Sequence, residues 1–263
     1  MIKDSLPDIQ NTVPFVQVNI DKVGINSLKL PLMFKQKDNV FQQVETDISC
    51  YVDLKKNIKG ISMSRILEVL HENSGRPFNM EIMQNISETI KNRTESKSCD
   101  LTFNFNYFVK KISPVTNKTG FIHYNVSLNT LNKRSQFINT YQIKLYVTSL
   151  CPCSKEISNN SAHNQKCLIT IKYKTNDWIW IEDVIDSIEK CGSCEIYSIL
   201  KRPDEKYVTE FAYDNPLFVE DIARNCYSVL QRFSSINSFS IKVESDESIH
   251  IHKAVAIINK NFK

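Results

Sequence analysis

The feature that most constrains this chain is a two-residue alternation of apolar side chains, repeated in widely separated segments. Leu101, Phe103, Phe105, Tyr107 and Val109 are apolar, with Thr or Asn between several of them. Tyr141, Ile143, Leu145 and Val147 repeat the pattern, as do Cys167, Ile169, Ile171 and Tyr173. Successive side chains of a strand point to opposite faces, so this period describes strands buried on one face and wet on the other. Antiparallel sheets covered on one side read this way. Between the strands the period changes. Ile66, Leu67 and Leu70 follow helical spacing, and so do Ile82, Met83, Ile86 and Ile90 between about Asn79 and Thr94. Ile181, Val184, Ile185 and Ile188 predict a third helix. A fourth is expected from Asn215 as N-cap with Pro216 at the first helical position, its apolar stripe running from Phe218 to Phe233.

Further strands are expected in KVGINSLKLPLMF after Asp21, from Val40 to Leu54, from Lys118 to Leu131, around Phe239–Val243, and from His250 to Ile258. The order strand, strand, helix, helix, strand, strand therefore occurs twice. The spacing predicts an α+β chain of two ββααββ units: an N-terminal arm at 1–20, a first unit at 21–135, and a second at 136–263. The repetition lies in the order of elements, not in any repeated sequence. Each unit would form a four-stranded antiparallel sheet with both helices on one face. The other face and the sheet edges then need a cover, which self-association supplies.

Composition narrows the function classes. A net charge of +4 from 33 basic and 29 acidic side chains over 263 residues is too mild for a nucleic-acid binder. No apolar run approaches the roughly 20 residues that span a bilayer, so no membrane partner is expected. MIKDSLPDIQ has no apolar core behind its lysine, which predicts a cytoplasmic chain. In that reducing setting the 8 cysteines are free thiols or metal ligands rather than a disulfide scaffold.

The densest cluster of reactive side chains is SLCPCSKEIS followed by AHNQ. A thiol at Cys151, at the end of a strand that Pro152 terminates, and an imidazole at His163 suit a Zn²⁺-type S/N shell. Two packed thiols and a surface histidine fit the spacing equally well. Arg202–Lys206 reads as a solvated turn. Glu220 stands beside Ala223 at the edge of an apolar stripe, either as a carboxylate near the helix dipole or as a partner for N–H groups of a ligand. His250 and His252 would share one strand face, with Glu247 close by: a proton-transfer pair, or simply the polar side of a surface strand. Cys191-Gly192-Ser193-Cys194 lacks the second CxxC of a structural zinc site and reads as two ordinary cysteines. His71 and His123 read as structural, and Trp178 and Trp180 as core.

SLCPCSKEIS, AHNQ, KRPDEK-VTE and NP-FVEDIAR together closely resemble the type IB GTP cyclohydrolases, prokaryotic enzymes of the first folate-pathway step. DIQN, DKVGI-L-LP, YVDL-KGISMSR and ESIHIH extend the likeness over nearly the whole chain. Two departures flank the histidine motif: Ser161 where the family usually has glycine, and Lys166 where it usually has arginine.

The resemblance implies a tunnelling fold, a homotetramer with active sites at subunit interfaces, and conversion of GTP and water to 7,8-dihydroneopterin triphosphate and formate. It implies that Cys151, His163 and Glu205 bind a divalent metal, Zn²⁺ or Mn²⁺, and that Glu220 anchors guanine. Cys153, Glu247 and His250 match positions of catalysis or substrate contact, while Arg65 and Lys155 are candidate cations for the triphosphate. Neighbouring alternatives are a nitrile reductase-like enzyme of the same fold and a non-catalytic purine-binding module.

Overall fold

The computed structural model describes residues 9–134 and 136–262. The chain divides into two compact units. The first holds the residues up to Lys35, Phe41–Phe105 and Leu128–Asn139; the second holds Gln36–Val40, Asn106–Ser127 and everything from Thr140. The division is thus not a single cut in the chain.

In the first unit, β1 (Ile20–Lys35) and β2 (Phe41–Leu54) pair antiparallel, with Leu32 opposite Val44 and Leu30 opposite Thr46. Helix α1 (Met63–Glu72), the short β3 (Pro77–Phe78) and α2 (Met80–Arg93) follow. The side chain of Asn79 accepts from the Ile82 N–H at 2.9 Å and so caps α2. The apolar positions Ile66, Val69, Met83, Ile86 and Ile90 are all buried, as their helical spacing requires. Strand β4 (Ser98–Ile112) pairs with β2, placing Leu101 opposite Cys50 and Phe103 opposite Ile48. The core is strongly aromatic here: Phe34 stacks on Phe105 at 4.3 Å and meets Phe78 at 5.0 Å. Strands β5 (Thr119–Lys133) and β6 (Gln136–Leu150) are, like β4, divided between the units.

The expected arm at 1–20 is described from residue 9, and residues 1–8 lie outside the described part. Gln10 and Thr12 hold it through backbone bonds from Gly60 and Lys59, at 3.1 and 2.9 Å.

The second unit continues from β6 through α3 (Pro152–Ile157), β7 (Asn164–Lys174), α4 (Ile181–Glu189) and β8 (Cys194–Glu195). Helices α5 (Arg202–Asp214) and α6 (Val219–Leu230) precede β9 (Ser238–Asp246) and β10 (Lys253–Lys260). Its strands run in the order β10-β9-β7-β6, all antiparallel, with β8 also paired to β6. Ile143, Ile169 and Ile241 from the sheet, Val184 and Ile188 from α4, and Ile222 and Leu230 from α6 are completely buried. Among the described residues no helix is long and apolar enough to cross a membrane.

Three expectations are corrected here. Arg202–Lys206 is not a solvated turn but the opening of α5, because Asp204 is buried and accepts from the Lys201 N–H at 2.9 Å. Asn215 does not cap α6; it ends α5, and α6 starts only at Val219. The intervening segment is pinned to the end of β6: the Leu217 N–H donates to Leu150 O at 3.0 Å, and the Ser149 hydroxyl donates to Leu217 O at 3.0 Å. Finally, β10 begins at Lys253, so His250 and His252 occupy the turn before it.

Candidate active site

Strands β6 and β7 run side by side to Leu150 and Asn164, and the next pair continues the ladder. The Cys151 N–H donates to His163 O at 3.1 Å, which brings the thiol and imidazole residues together at the sheet end. The eleven residues between them close on Ser154. Its hydroxyl donates to Cys151 O at 3.1 Å and accepts from the His163 N–H at 3.2 Å, while its own N–H meets Cys151 Sγ at 3.4 Å. Cys151 is half-buried, whereas Cys153, two residues on, is exposed.

Ser161 bends the return of this loop with φ of 85°, a backbone conformation that favours glycine. The residue that stands in place of the family's glycine therefore keeps a glycine-like turn. Strain of ~1–3 kcal/mol against ~0.5–1 kcal/mol of extra chain entropy for glycine leaves a net gain of about 1 kcal/mol for Ser161→Gly. Thermal unfolding of the two proteins checks this: a higher Tm is expected for the variant.

His163 is held by its ring. Nδ1 lies 2.9 Å from Gln165 Oε1, and Gln165 Nε2 donates to Glu247 Oε1 at 3.4 Å. The other Glu247 oxygen is 4.0 Å from His163 Nδ1. Glu247 thus faces His163 rather than His250, which meets it only through a backbone N–H at 3.4 Å. The His250 and His252 rings lie nearly parallel, centroids 5.0 Å apart, and both are exposed. Gln165 was legible as the end of AHNQ, two strand residues from His163 and hence on its side, but the motif alone named no partner for it.

Asp204 fixes α5 beneath the exposed Glu205. Its carboxylate accepts from the Val115 and Thr116 N–H groups at 2.9 and 2.8 Å, and from the Thr116 hydroxyl at 2.5 Å. Burial alone would raise this carboxyl. Hydrogen bonds from Thr116, Lys201 and Val115 outweigh burial and hold it well below the ordinary aspartate range. The sign follows: this anchor is in place above the ordinary value of ~3.9 and is lost only as pH falls below it. Asp204→Ala is expected to free the start of α5 and weaken Zn²⁺ binding about 10-fold or more. Zn²⁺ titration, with hydrogen exchange at the Val115 and Thr116 amides, checks it.

Of the remaining candidates, Glu220 is exposed on the first turn of α6, two residues beyond the segment pinned to β6. Lys155 is not a free cation for a triphosphate. Its ammonium donates to Tyr213 O and sits 4.2 Å from the Tyr213 ring, tying α3 to the end of α5. Arg65, in the first unit, donates to Arg93 O at 2.9 Å. Burial, aided by Glu247, pushes the Cys167 thiol up to about 12; burial, aided by Glu195, pushes Cys194 up to about 11. Both stay neutral core thiols, and Cys191 is buried as well.

A cavity of about 850 Å³ adjoins the loop, walled by Leu150, Asn164, Tyr197 and Tyr213. Its walls are the sequence neighbours of Cys151 and His163 rather than those side chains. Among the described residues no three His, Cys, Asp or Glu side chains gather tightly enough to hold a metal ion. Cys151 and His163 are adjacent, but Glu205 does not complete a closed ligand set with them.

The overall architecture is that of the uricases. The chain superposes on uricase from Arthrobacter globiformis with a TM-score of 0.52 at 8% identity, covering 91% of this chain and 93% of that one. Uricase from Bacillus fastidious gives 0.53 at 8%, covering 91% and 92%. At such identity the likeness is one of fold. Fold and site together define an α+β protein of uricase-like fold with a thiol and an imidazole at the end of its sheet. Residues 6–256 match the family described as type I GTP cyclohydrolase folE2. The chain is 41% identical to GTP cyclohydrolase FolE2 of Methylobacillus flagellatus over 99% of both chains. It is 40% identical to that of Geobacter sp. (strain M21), over 98% of this chain and 96% of the other. The chain belongs to the type I GTP cyclohydrolase FolE2 family.

Proposed function

We propose that this chain is a GTP cyclohydrolase that converts GTP and water to 7,8-dihydroneopterin triphosphate and formate, the first step of tetrahydrofolate biosynthesis. Family membership over 6–256 supports the reaction, and the observation that carries the site is the Cys151–His163 pair closing the β6–β7 ladder.

The reaction opens the imidazole ring of guanine at C8, releases C8 as formate, then rearranges the ribose and closes a pterin ring. Cys151 Sγ, His163 Nε2 and the Glu205 carboxylate are the donor types that suit Zn²⁺ or Mn²⁺. It is in donor chemistry that these residues fit such an ion, and two of them stand on anchored elements: the ring of His163 is held on its Nδ1 side, and α5 is fixed by Asp204 with Glu205 in its first turn. When bound, the ion lowers the pKa of water towards about 7 and so supplies a nucleophile at neutral pH. Glu220 accepts hydrogen bonds from the guanine ring N–H and amino group, orienting C8 towards the thiol and imidazole; orientation of this kind removes much of the entropic barrier. His250, an imidazole stacked beside His252, is the general acid–base for the purine nitrogen or the sugar steps. Cys153, exposed beside Cys151, contacts substrate.

Glu205, Glu220, Cys153 and His250 are all exposed in the single chain. A second copy that covers them closes the site, in keeping with a cytoplasmic homotetramer whose active sites lie at subunit interfaces. Arg65 then serves the triphosphate of a neighbouring site. We read the architecture as two ββααββ units of a tunnelling fold, 21–135 and 136–263, with α3, β8 and α5 inserted in the second.

Metal-stripped protein is expected to release no formate from GTP, and to recover on addition of Zn²⁺ or Mn²⁺, with a pterin that fluoresces after oxidation. Binding of GTP without formate would leave only a purine-binding module; nicotinamide-dependent reduction of a nitrile would reassign the chain to the reductases of this fold.

A further inference from the structure

We propose that Gln165 is a positioning residue that sets the tautomer of His163, leaving Nε2 with the lone pair a divalent cation needs. This deepens the metal reading above and rests on it.

The argument runs inwards from the carboxylate. Glu247, half-buried just after β9, offers only the acceptors of a carboxylate to its neighbour. Gln165 lies 3.4 Å away and must present its NH₂ group to it, because the flipped amide would set oxygen against oxygen. The Ser248 hydroxyl, 3.4 Å from Gln165 Oε1, favours the same orientation by donating to that oxygen. With its NH₂ spoken for, Gln165 presents Oε1 to His163 Nδ1 at 2.9 Å. An acceptor at that distance requires Nδ1 to carry the proton, so in neutral imidazole Nε2 is the unprotonated nitrogen. Metal-ligating histidines are typically oriented in this way by an acceptor on the other ring nitrogen. The relay Glu247–Gln165–His163 therefore selects Nε2 over Nδ1 before any ion arrives. It also gives the Glu247 carboxylate a task, to orient an amide.

The test is long-range ¹H–¹⁵N correlation on metal-free protein labelled at histidine, at a pH where imidazole is neutral, with His163→Gln assigning the signal among the five histidines. Wild type is expected to show His163 protonated at Nδ1. In Gln165→Met the signal moves towards the Nε2–H form, and Zn²⁺ affinity, from chelator competition, falls about 10–100-fold. An Nε2–H tautomer in wild type overturns the proposal, as does an unchanged tautomer in Gln165→Met. A changed tautomer with unchanged Zn²⁺ affinity overturns the link to the metal. If the variant does not fold, the wild-type tautomer decides. None of these readouts uses GTP: failure of loaded wild type to release formate would count against the cyclohydrolase reading and leave the tautomer result standing.

Discussion

Cys151→Ala is expected to lose bound metal and formate release together. A four-coordinate site with three protein ligands that forfeits its only sulfur loses both affinity and geometry. Turnover should fall by at least about 10³, equivalent to about 4 kcal/mol of barrier. The surrounding fold should survive, because the loop closes through the Cys151 backbone N–H and O, which alanine keeps; the Sγ contact with Ser154 N–H is long, at 3.4 Å. Metal analysis after dialysis, beside a circular dichroism spectrum, separates loss of the ion from loss of the fold. Full metal occupancy in the variant would remove Cys151 from the ligand set.

Glu220→Ala separates the substrate anchor from the metal. This carboxylate is exposed on the first turn of α6, and removing it disturbs no packing in the chain. A site built to pair with N–H groups loses heavily when one side of the pair is deleted: kcat/KM is expected to fall about 10³–10⁴-fold, with metal content near wild type. Steady-state kinetics with metal analysis on the same sample checks both. Loss of metal in this variant would contradict the role given to Glu220.

How much of this was legible in the sequence depends on what each signal reports. Alternation reports burial of one sheet face, and it located β4, β6 and β7 because residues such as Phe103, Ile143 and Ile169 are fully buried. It is silent on a charged helix start. Arg202–Lys206 looked like a solvated turn because four of its five residues are indeed exposed, yet the buried Asp204 among them makes it the opening of α5. The cue was present as Pro203 followed by two acids, a pattern of first helical turns. Alternation also overran at the other end, where Ile251 between two histidines imitates a strand but is fully exposed in a turn. The site was partly legible. The spacing of Cys151 and His163 left two readings open, and it took the ladder bond between them to make them neighbours. The partner of Glu247 was not legible, since proximity in sequence favoured His250 while strand pairing of β9 with β7 brings it to Gln165. Likewise nothing in the sequence shows that Lys155 is spent on the end of α5.

The central claim is that one thiolate, one imidazole and one carboxylate hold a single dication. X-ray absorption fine structure at the zinc edge of Zn²⁺-loaded protein tests it most directly. It should show one sulfur at about 2.3 Å with nitrogen and oxygen near about 2.0–2.1 Å. A zinc shell with no sulfur, or with two, would contradict the account.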